Sequence, residues 1–153
     1  ESRGNGVPGQ RAQGYRAALA AAGLEIRVEW ECDGRFTAQG GELAMTNLLS
    51  RQGGRPTGVF CQSDEIVFGA LRALRRSGLA CPGDVSVVGF DDHELAETFD
   101  VTTIAQPVAA QGAAAARWLV DQLEGRRPGP GSDVQLHAVR LVLRGSTGPV
   151  RDT

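Results

Sequence analysis

Val85-Ser86-Val87-Val88-Gly89-Phe90, followed at once by Asp91-Asp92-His93-Glu94, is the stretch that decides the fold. A short run that is nearly all apolar and rich in Val reads as a strand covered on both faces, as in a parallel sheet. Upstream, Thr57 to Cys61 is a second short apolar strand, and it too runs into an acidic turn, Ser63-Asp64-Glu65. Ser63 can cap the helix that follows, and acids in its first turn suit the helix dipole. The stripe Ile66, Val67, Ala70, Leu71 and Leu74 continues that helix until Gly78 and Pro82 close it. Downstream, Thr102 to Ala105 is another strand, and Pro107 opens a helix carrying Val108, Gly112, Ala115, Ala116, Leu119 and Leu123, with Gly125 as its stop.

The flanks extend the pattern. Ala12, Tyr15, Ala18, Leu19 and Ala22 predict a helix ended by Gly23, and Ile26, Val28 and Trp30 alternate with Arg27 and Glu29 as a strand would. Ala44, Met45, Leu48 and Leu49 form a second helical stripe before Gly53-Gly54. Beyond the loop Arg126–Ser132, a last strand is expected from about Val134 to Leu143. The order α-β-α-β-α-β-β-α-β predicts an α/β protein with three layers (α/β/α), a largely parallel sheet and right-handed crossovers. It opens on a helix, whereas a wound fold normally enters a helix from a strand, so a strand is expected upstream and the chain reads as part of a larger domain. In the last strand Val134, Leu136 and Ala138 share one parity and Val139, Leu141 and Leu143 the other, which predicts a bulge near Ala138. No internal repeat is apparent.

Composition narrows the function. With 153 residues, 41% hydrophobic and 22% charged, the chain has room for one domain with a real core. A net charge of −2 gives no bulk attraction to nucleic acid. Its basic residues are all arginine, scattered among acids, which reads as the coding bias of a GC-rich genome. Cys32, Cys61 and Cys81 are odd in number and form no C-x-x-C pair, so reduced thiols in a cytosolic protein are expected. No apolar run approaches the ~18 residues of a membrane span, and Glu1 to Gly9 carries no secretory signal.

In an open α/β sheet, ligands bind outside the carboxyl ends of the strands. Both acidic turns fall at such ends, and Arg11, in the first turn of the opening helix, can face the same edge. Carboxylates accept from neighbouring hydroxyls and an arginine fork donates to ring or hydroxyl oxygens, a set that suits a small polyhydroxylated ligand. Asp64 and Glu65 are equally well explained as helix-start acids, while turn formation is the lesser explanation of Asp91 and Asp92. The contiguous Asp91–Glu94 cluster is a poor metal site, since typical sites draw ligands from separate segments. His137 reads as a structural strand residue, and Trp30 and Trp118 as core or interface residues. There is no Gly-x-Ser-x-Gly, no nucleophile–base pair and no phosphate loop, so no enzyme is expected.

Five segments resemble the sensing core of the lactose-repressor/purine-repressor (LacI) family: Arg11–Leu19, Pro56–Leu71, Gly78–Asp92, Thr102–Val108 and Leu143–Thr147. They occur in family order over about residues 9–147, and VSVVGFDD followed by TTIAQP is the specific part. The resemblance implies a periplasmic-binding-protein-like (type I) fold of two lobes with an effector between them. Residues 1–105 would form most of the C-terminal lobe, 106–130 a helix of the N-terminal lobe, and 131–147 the closing strand. The DNA-binding headpiece is absent, so operator DNA would be met only through it.

The same resemblance implies effector contacts at Arg11, Phe36, Ser63, Asp91 and Gln106, with Ser63 standing where the family often has Asn. It implies a homodimer surface at Phe68, Leu71, Arg72 and Phe99, no cofactor and no metal, a cytoplasmic location, and a carbohydrate or purine-like effector whose binding shifts lobe arrangement without chemistry. The alternatives are a periplasmic sugar receptor of an ABC transporter, which shares the fold, and a hydrolase or metal enzyme using Asp91–Glu94.

Overall fold

A computed structural model of the chain describes residues 7–52, 54–126 and 135–149. The elements are α1 (Val7–Ala21), a 3-10 turn (Val28–Trp30), α2 (Ala38–Leu49), β1 (Gly58–Phe60), α3 (Asp64–Arg76), β2 (Ser86–Asp91), α4 (Glu94–Thr98), β3 (Thr102–Ala105), α5 (Val108–Leu123) and β4 (Arg140–Val142). The sheet order is β1-β2-β3-β4; β1, β2 and β3 run parallel, and β4 is antiparallel to β3. This is a mixed α/β architecture with a mainly parallel sheet.

The core lies where α3 covers β2. Val67, Leu74, Val85, Val87 and Val101 are fully buried and gather with Met45, Cys61, Ala70 and Ala96. Burying each such side chain removes apolar surface from water, worth about 1.5–3 kcal/mol for a Val- to Met-sized group. The Cys61 thiol in this core has its pKa pushed up to about 12, chiefly by burial and then by the negative charge of Asp64. Helix starts follow the sequence: Ser63 Oγ accepts from the Ile66 amide (3.5 Å), and Thr37 Oγ1 accepts from the Gly40 amide (3.0 Å).

Helices α2 and α3 pack on each other, and small residues let them. A Cβ on Gly69 would stand 1.8 Å from the Ala38 carbonyl oxygen, and one on Gly41 2.2 Å from the Ile66 carbonyl oxygen. The C-terminal segment then locks the sheet from below. Ser146 Oγ accepts from the Thr102 amide (2.8 Å) and donates to the Val87 carbonyl (2.6 Å), while the Ser146 carbonyl accepts from the Val87 amide (2.8 Å).

Three expectations need correction. Ile26–Trp30 is not a strand: it is loop and a 3-10 turn, pairs with no strand among the described residues, and leaves Val28 67% exposed. A strand forms only where a neighbour takes its backbone groups, and alternation alone supplies none. Of the core-or-interface expectation for Trp30 and Trp118, the core half fails: Trp30 lies under the Arg27 guanidinium (4.7 Å) and Trp118 is half-exposed. The last strand is confined to Arg140–Val142; Gln135–Val139, His137 among them, is not strand, and Val134 lies outside the described residues. The parity change at Ala138 is thus the end of irregular chain before β4 rather than a bulge within a long strand. Helix α4 adds an element to the predicted order, capped by His93 Nδ1 accepting from the Leu95 amide (3.1 Å).

Replacing Gly69 by Ala forces α2 and α3 apart and is expected to cost about 2–4 kcal/mol, more than an ordinary overpacked core position. Gly14→Ala, on a helix position with open space around it, is expected to be neutral or to stabilise by up to about 1 kcal/mol. Urea denaturation of both variants checks the pair.

Candidate functional site

Because β1, β2 and β3 are parallel, their carboxyl ends share one rim. That rim carries Gln62-Ser63 after β1, Asp91 at the end of β2, and Gln106 just after β3. Arg11, one turn into α1, reaches across it. Its guanidinium donates to Asp91 Oδ1 (3.3 Å) and to the Gln62 carbonyl, and stacks over the Phe90 ring at 3.8 Å. Gln106 Nε2 donates to the same Asp91 oxygen at 2.5 Å. One carboxylate, one third exposed, is therefore held between two donors from elements distant in sequence.

The turn that presents Asp91 is strained. Asp91 and Asp92 have φ of 114° and 57°, in the left-handed region that non-glycine residues rarely enter. Such backbone costs on the order of 1–3 kcal/mol per residue and persists only where the surroundings over-determine it. Here they do. The His93 amide donates to Asp64 Oδ2 (2.8 Å), the Asp92 amide to Thr103 Oγ1 (3.4 Å), and Arg144 donates to Asp92 Oδ1 (2.9 Å) and the Val101 carbonyl (2.9 Å).

Asp64 is the inner member of this arrangement. It is fully buried, and its other oxygen accepts from Thr103 Oγ1 at 2.7 Å. Gly89 makes room for it: a Cβ there would stand 2.0 Å from Asp64 Oδ1. Burial raises the Asp64 pKa; the bonds from Thr103 and His93 pull it back down, and the charges of Asp91 and Asp92 raise it further.

Not every expected residue joins this cluster. Arg11, Asp91 and Gln106 do. Ser63 stands on the same rim, but it is buried and its hydroxyl caps α3. Phe36 lies apart, in the loop before α2, exposed and with φ of 50°. It lines a cavity of about 920 Å³ between α1, α2 and β1, together with Tyr15, Trp30, Met45, Phe60 and Gln62. Arg11, Asp91 and Gln106 do not line that cavity; it meets their cluster at Gln62. Elsewhere, Phe68 packs on Phe99 (ring centroids 5.1 Å) and Arg72 pairs with Glu42 (3.5 Å), with Leu71 partly buried beside them.

Sequence reasoning left Asp64 open, and missed Thr103 and Arg144 as supports of the turn and Phe90 as the ring beneath Arg11. Polar Thr102-Thr103 inside an otherwise apolar strand was the signal available.

Residues 1–147 match the family described as periplasmic binding protein-like domain. The HTH-type transcriptional repressor CytR of Escherichia coli K12 is 41% identical over 139 residues, which is 90% of this chain and 40% of that protein. A solved LacI-family transcriptional regulator from Enterococcus faecium with bound ribose superposes with a TM-score of 0.74 at 30% identity, covering 92% of this chain and 51% of that one. The transcriptional regulator CelR–cellobiose complex gives 0.78 at 41% identity, covering 89% and 41%. The chain belongs to the family of periplasmic binding protein-like domains, and the relatives and solved structures it matches are repressors and LacI-family regulators. It spans about 40% of the length of the curated relatives it matches.

Asp64→Ala orphans a buried hydroxyl and a buried amide and is expected to cost about 2–4 kcal/mol; Asp64→Asn, which can accept from His93 and donate to Thr103, costs far less. Because the folded-state pKa is raised, folding takes up a proton at Asp64 between the ordinary carboxylate range and that raised value. Wild type is therefore expected to gain stability relative to Asp64→Asn as pH falls through that window, the reverse of a salt-bridged carboxylate. Thermal denaturation of both proteins over a pH series that starts in the ordinary carboxylate range and rises measures it.

Proposed function

We propose that this chain is the effector-sensing part of a LacI-family transcriptional repressor, taking a small polyhydroxylated ligand, sugar-like or nucleoside-like, at the Arg11–Asp91–Gln106 rim. The observation that carries this reading is the Asp91 carboxylate, oriented by two donors on one oxygen and partly exposed, at the place where open α/β sheets bind ligands. A carboxylate accepts from adjacent hydroxyls, Arg11 and Gln106 donate to ligand oxygens, and Phe36, exposed above the neighbouring cavity, supplies an apolar face for a sugar ring. Ser63 would contribute only if its hydroxyl left the α3 cap, so its part is the weakest of the five. The ribose and cellobiose found with the two solved regulators favour a carbohydrate.

In this reading residues 1–105 belong to the C-terminal lobe, 106–130 to the N-terminal lobe, and 131–147 close the sheet. Helix α5 supports the division: only Ala114 on it is buried, and Val108, Leu119 and Leu123 are all more than half exposed, an apolar face suited to packing against further residues of that lobe. Ligand binding shifts the balance between lobe arrangements by its differential affinity for them, with no bond made or broken. The shift passes to a dimer joined through Phe68, Leu71, Arg72 and Phe99, and operator DNA is met by a headpiece outside these residues. Named relatives are repressors, which favours a cytoplasmic regulator over a transport receptor and over an enzyme. Among the described residues no trio of His, Cys, Asp or Glu is placed to hold a metal, and no helix is long and apolar enough to cross a membrane.

Asp91→Asn, which tolerates the left-handed backbone, is expected to weaken ligand affinity by about ten- to a hundredfold, the loss of hydrogen bonds to a charged group, without lowering the melting temperature. Calorimetry of the intact protein against monosaccharides, disaccharides and nucleosides tests it, and undiminished affinity would refute the assignment. Leu71→Glu in the intact protein is expected to turn the dimer into a monomer by light scattering at a concentration where wild type is dimeric.

A further inference from the structure

Arg11 makes one bond to Asp91 where its fork could make two. Two parallel N–H···O bonds are the favoured pairing of a guanidinium with a carboxylate. Here one terminal nitrogen donates to Asp91 Oδ1 at 3.3 Å and the other to the Gln62 carbonyl, while the Gln106 side-chain amide donates to that same Oδ1. Among the described residues nothing donates to Asp91 Oδ2. The half-used pair leaves a carboxylate oxygen open on a side chain that is one third exposed.

The ring beneath Arg11 accounts for the fork's staying open. Its Cζ lies 3.8 Å from the centre of the Phe90 ring, where a guanidinium is held against the aromatic face. Phe90 is in no position to follow a swinging guanidinium. It belongs to β2, the strand between β1 and β3, and stands in register with Ile104. Its neighbour Gly89 faces α3, since a Cβ there would meet Asp64 and Val67. By alternation Phe90 faces the other side of the sheet, the side on which α1 lies. Arg11 and Tyr15, four residues apart on one side of α1, rest on Phe90 and Phe60 of adjacent strands, so α1 is seated on two rings.

We propose that Phe90 is a positioning residue of the rim: its ring holds the Arg11 guanidinium in single contact with Asp91 and so keeps Asp91 Oδ2 and the unspent Arg11 N–H groups free for a ligand's hydroxyls. This rests on the reading of that rim as the ligand site. Phe90 does not itself touch the ligand; it acts through Arg11. Without the ring the fork turns into the two-bond pairing with Asp91, and donor and acceptor then satisfy each other instead of a ligand.

Two measurements on the intact protein test this. In the ligand-free protein the Arg11 Nε–H proton resonance is expected upfield of the other arginines, from the ring current of Phe90, in wild type and in Phe90→Tyr, and to lose that shift in Phe90→Leu. An Arg11 signal that Phe90→Leu leaves unmoved would overturn the proposal. Calorimetry then uses ribose, cellobiose and adenosine as probes. For any of them that wild type binds, Phe90→Leu is expected to weaken affinity about ten- to thirtyfold, the worth of a desolvated cation–π contact, and Phe90→Tyr to restore it. In an Arg11→Lys background, which keeps the charge but has no fork to close, Phe90→Leu is expected to change affinity by less than about twofold. A loss of the full size in that background would overturn the proposal, since the ring would then be meeting the ligand directly. Arg11→Lys binding as tightly as wild type would instead refute the rim as the ligand site, whatever Phe90 does.

Discussion

A single buried carboxylate sets the geometry on which the site depends. Asp64 sits at the start of α3, yet its two oxygens are used by Thr103 on β3 and by the His93 amide in the turn after β2. The segment after β1, the turn after β2 and the body of β3 are thereby fixed to one another from beneath, with Gly89 providing the space. Burying a charge is unfavourable unless its lone pairs are met, and each of the two bonds to an ionised acceptor contributes more than an ordinary neutral one. The Asp91–Asp92 backbone could not rest in the left-handed region without such surroundings.

The outer side of the rim follows from the inner. With the turn fixed, Asp91 points to Arg11 and Gln106 while Asp92 points the other way, to Arg144. Adjacent acids that look alike in sequence thus have separate uses, one facing the exposed rim and one anchoring the C-terminal segment. The proposed ligand site draws on residues from 11 to 106, and its supports extend to 144. Such a site is sensitive to the relative placement of α1, β2 and β3.

Much of this was legible in the residues, and the failures have physical causes. The apolar runs of β2 and β3, the helix stripe from Ile66 to Leu74, and the meeting of Arg11 with Asp91 came from local pattern plus the parallel-sheet rule; Gln106 was named only through the family resemblance. Alternation at Ile26, Val28 and Trp30 was also legible, but a strand needs a partner and the described residues offer none. Helix α4 is too short to show a stripe of its own. The inward role of Asp64 was hidden because a helix-start acid and a buried clamp occupy the same position in sequence; only the fold tells which way the carboxylate turns. Ser63 shows the converse, since a residue on the right rim can have its hydroxyl committed to a cap.

The bond pattern of Ser146 and Arg144 carries an implication for how the molecule is made. Ser146 bridges the amino ends of β2 and β3, and Arg144 grips Asp92, across separations of 44 to 59 residues. A ribosome builds the chain from the other end, and segments fold as they emerge. The strands, their helices and Arg11 are all in the open well before these two residues leave the exit tunnel. Until they do, nothing clasps the turn from its far side. The geometry of the turn is therefore completed late in the life of each nascent molecule, by Arg144 and Ser146 rather than by Arg11, Asp91 and Gln106 at its rim.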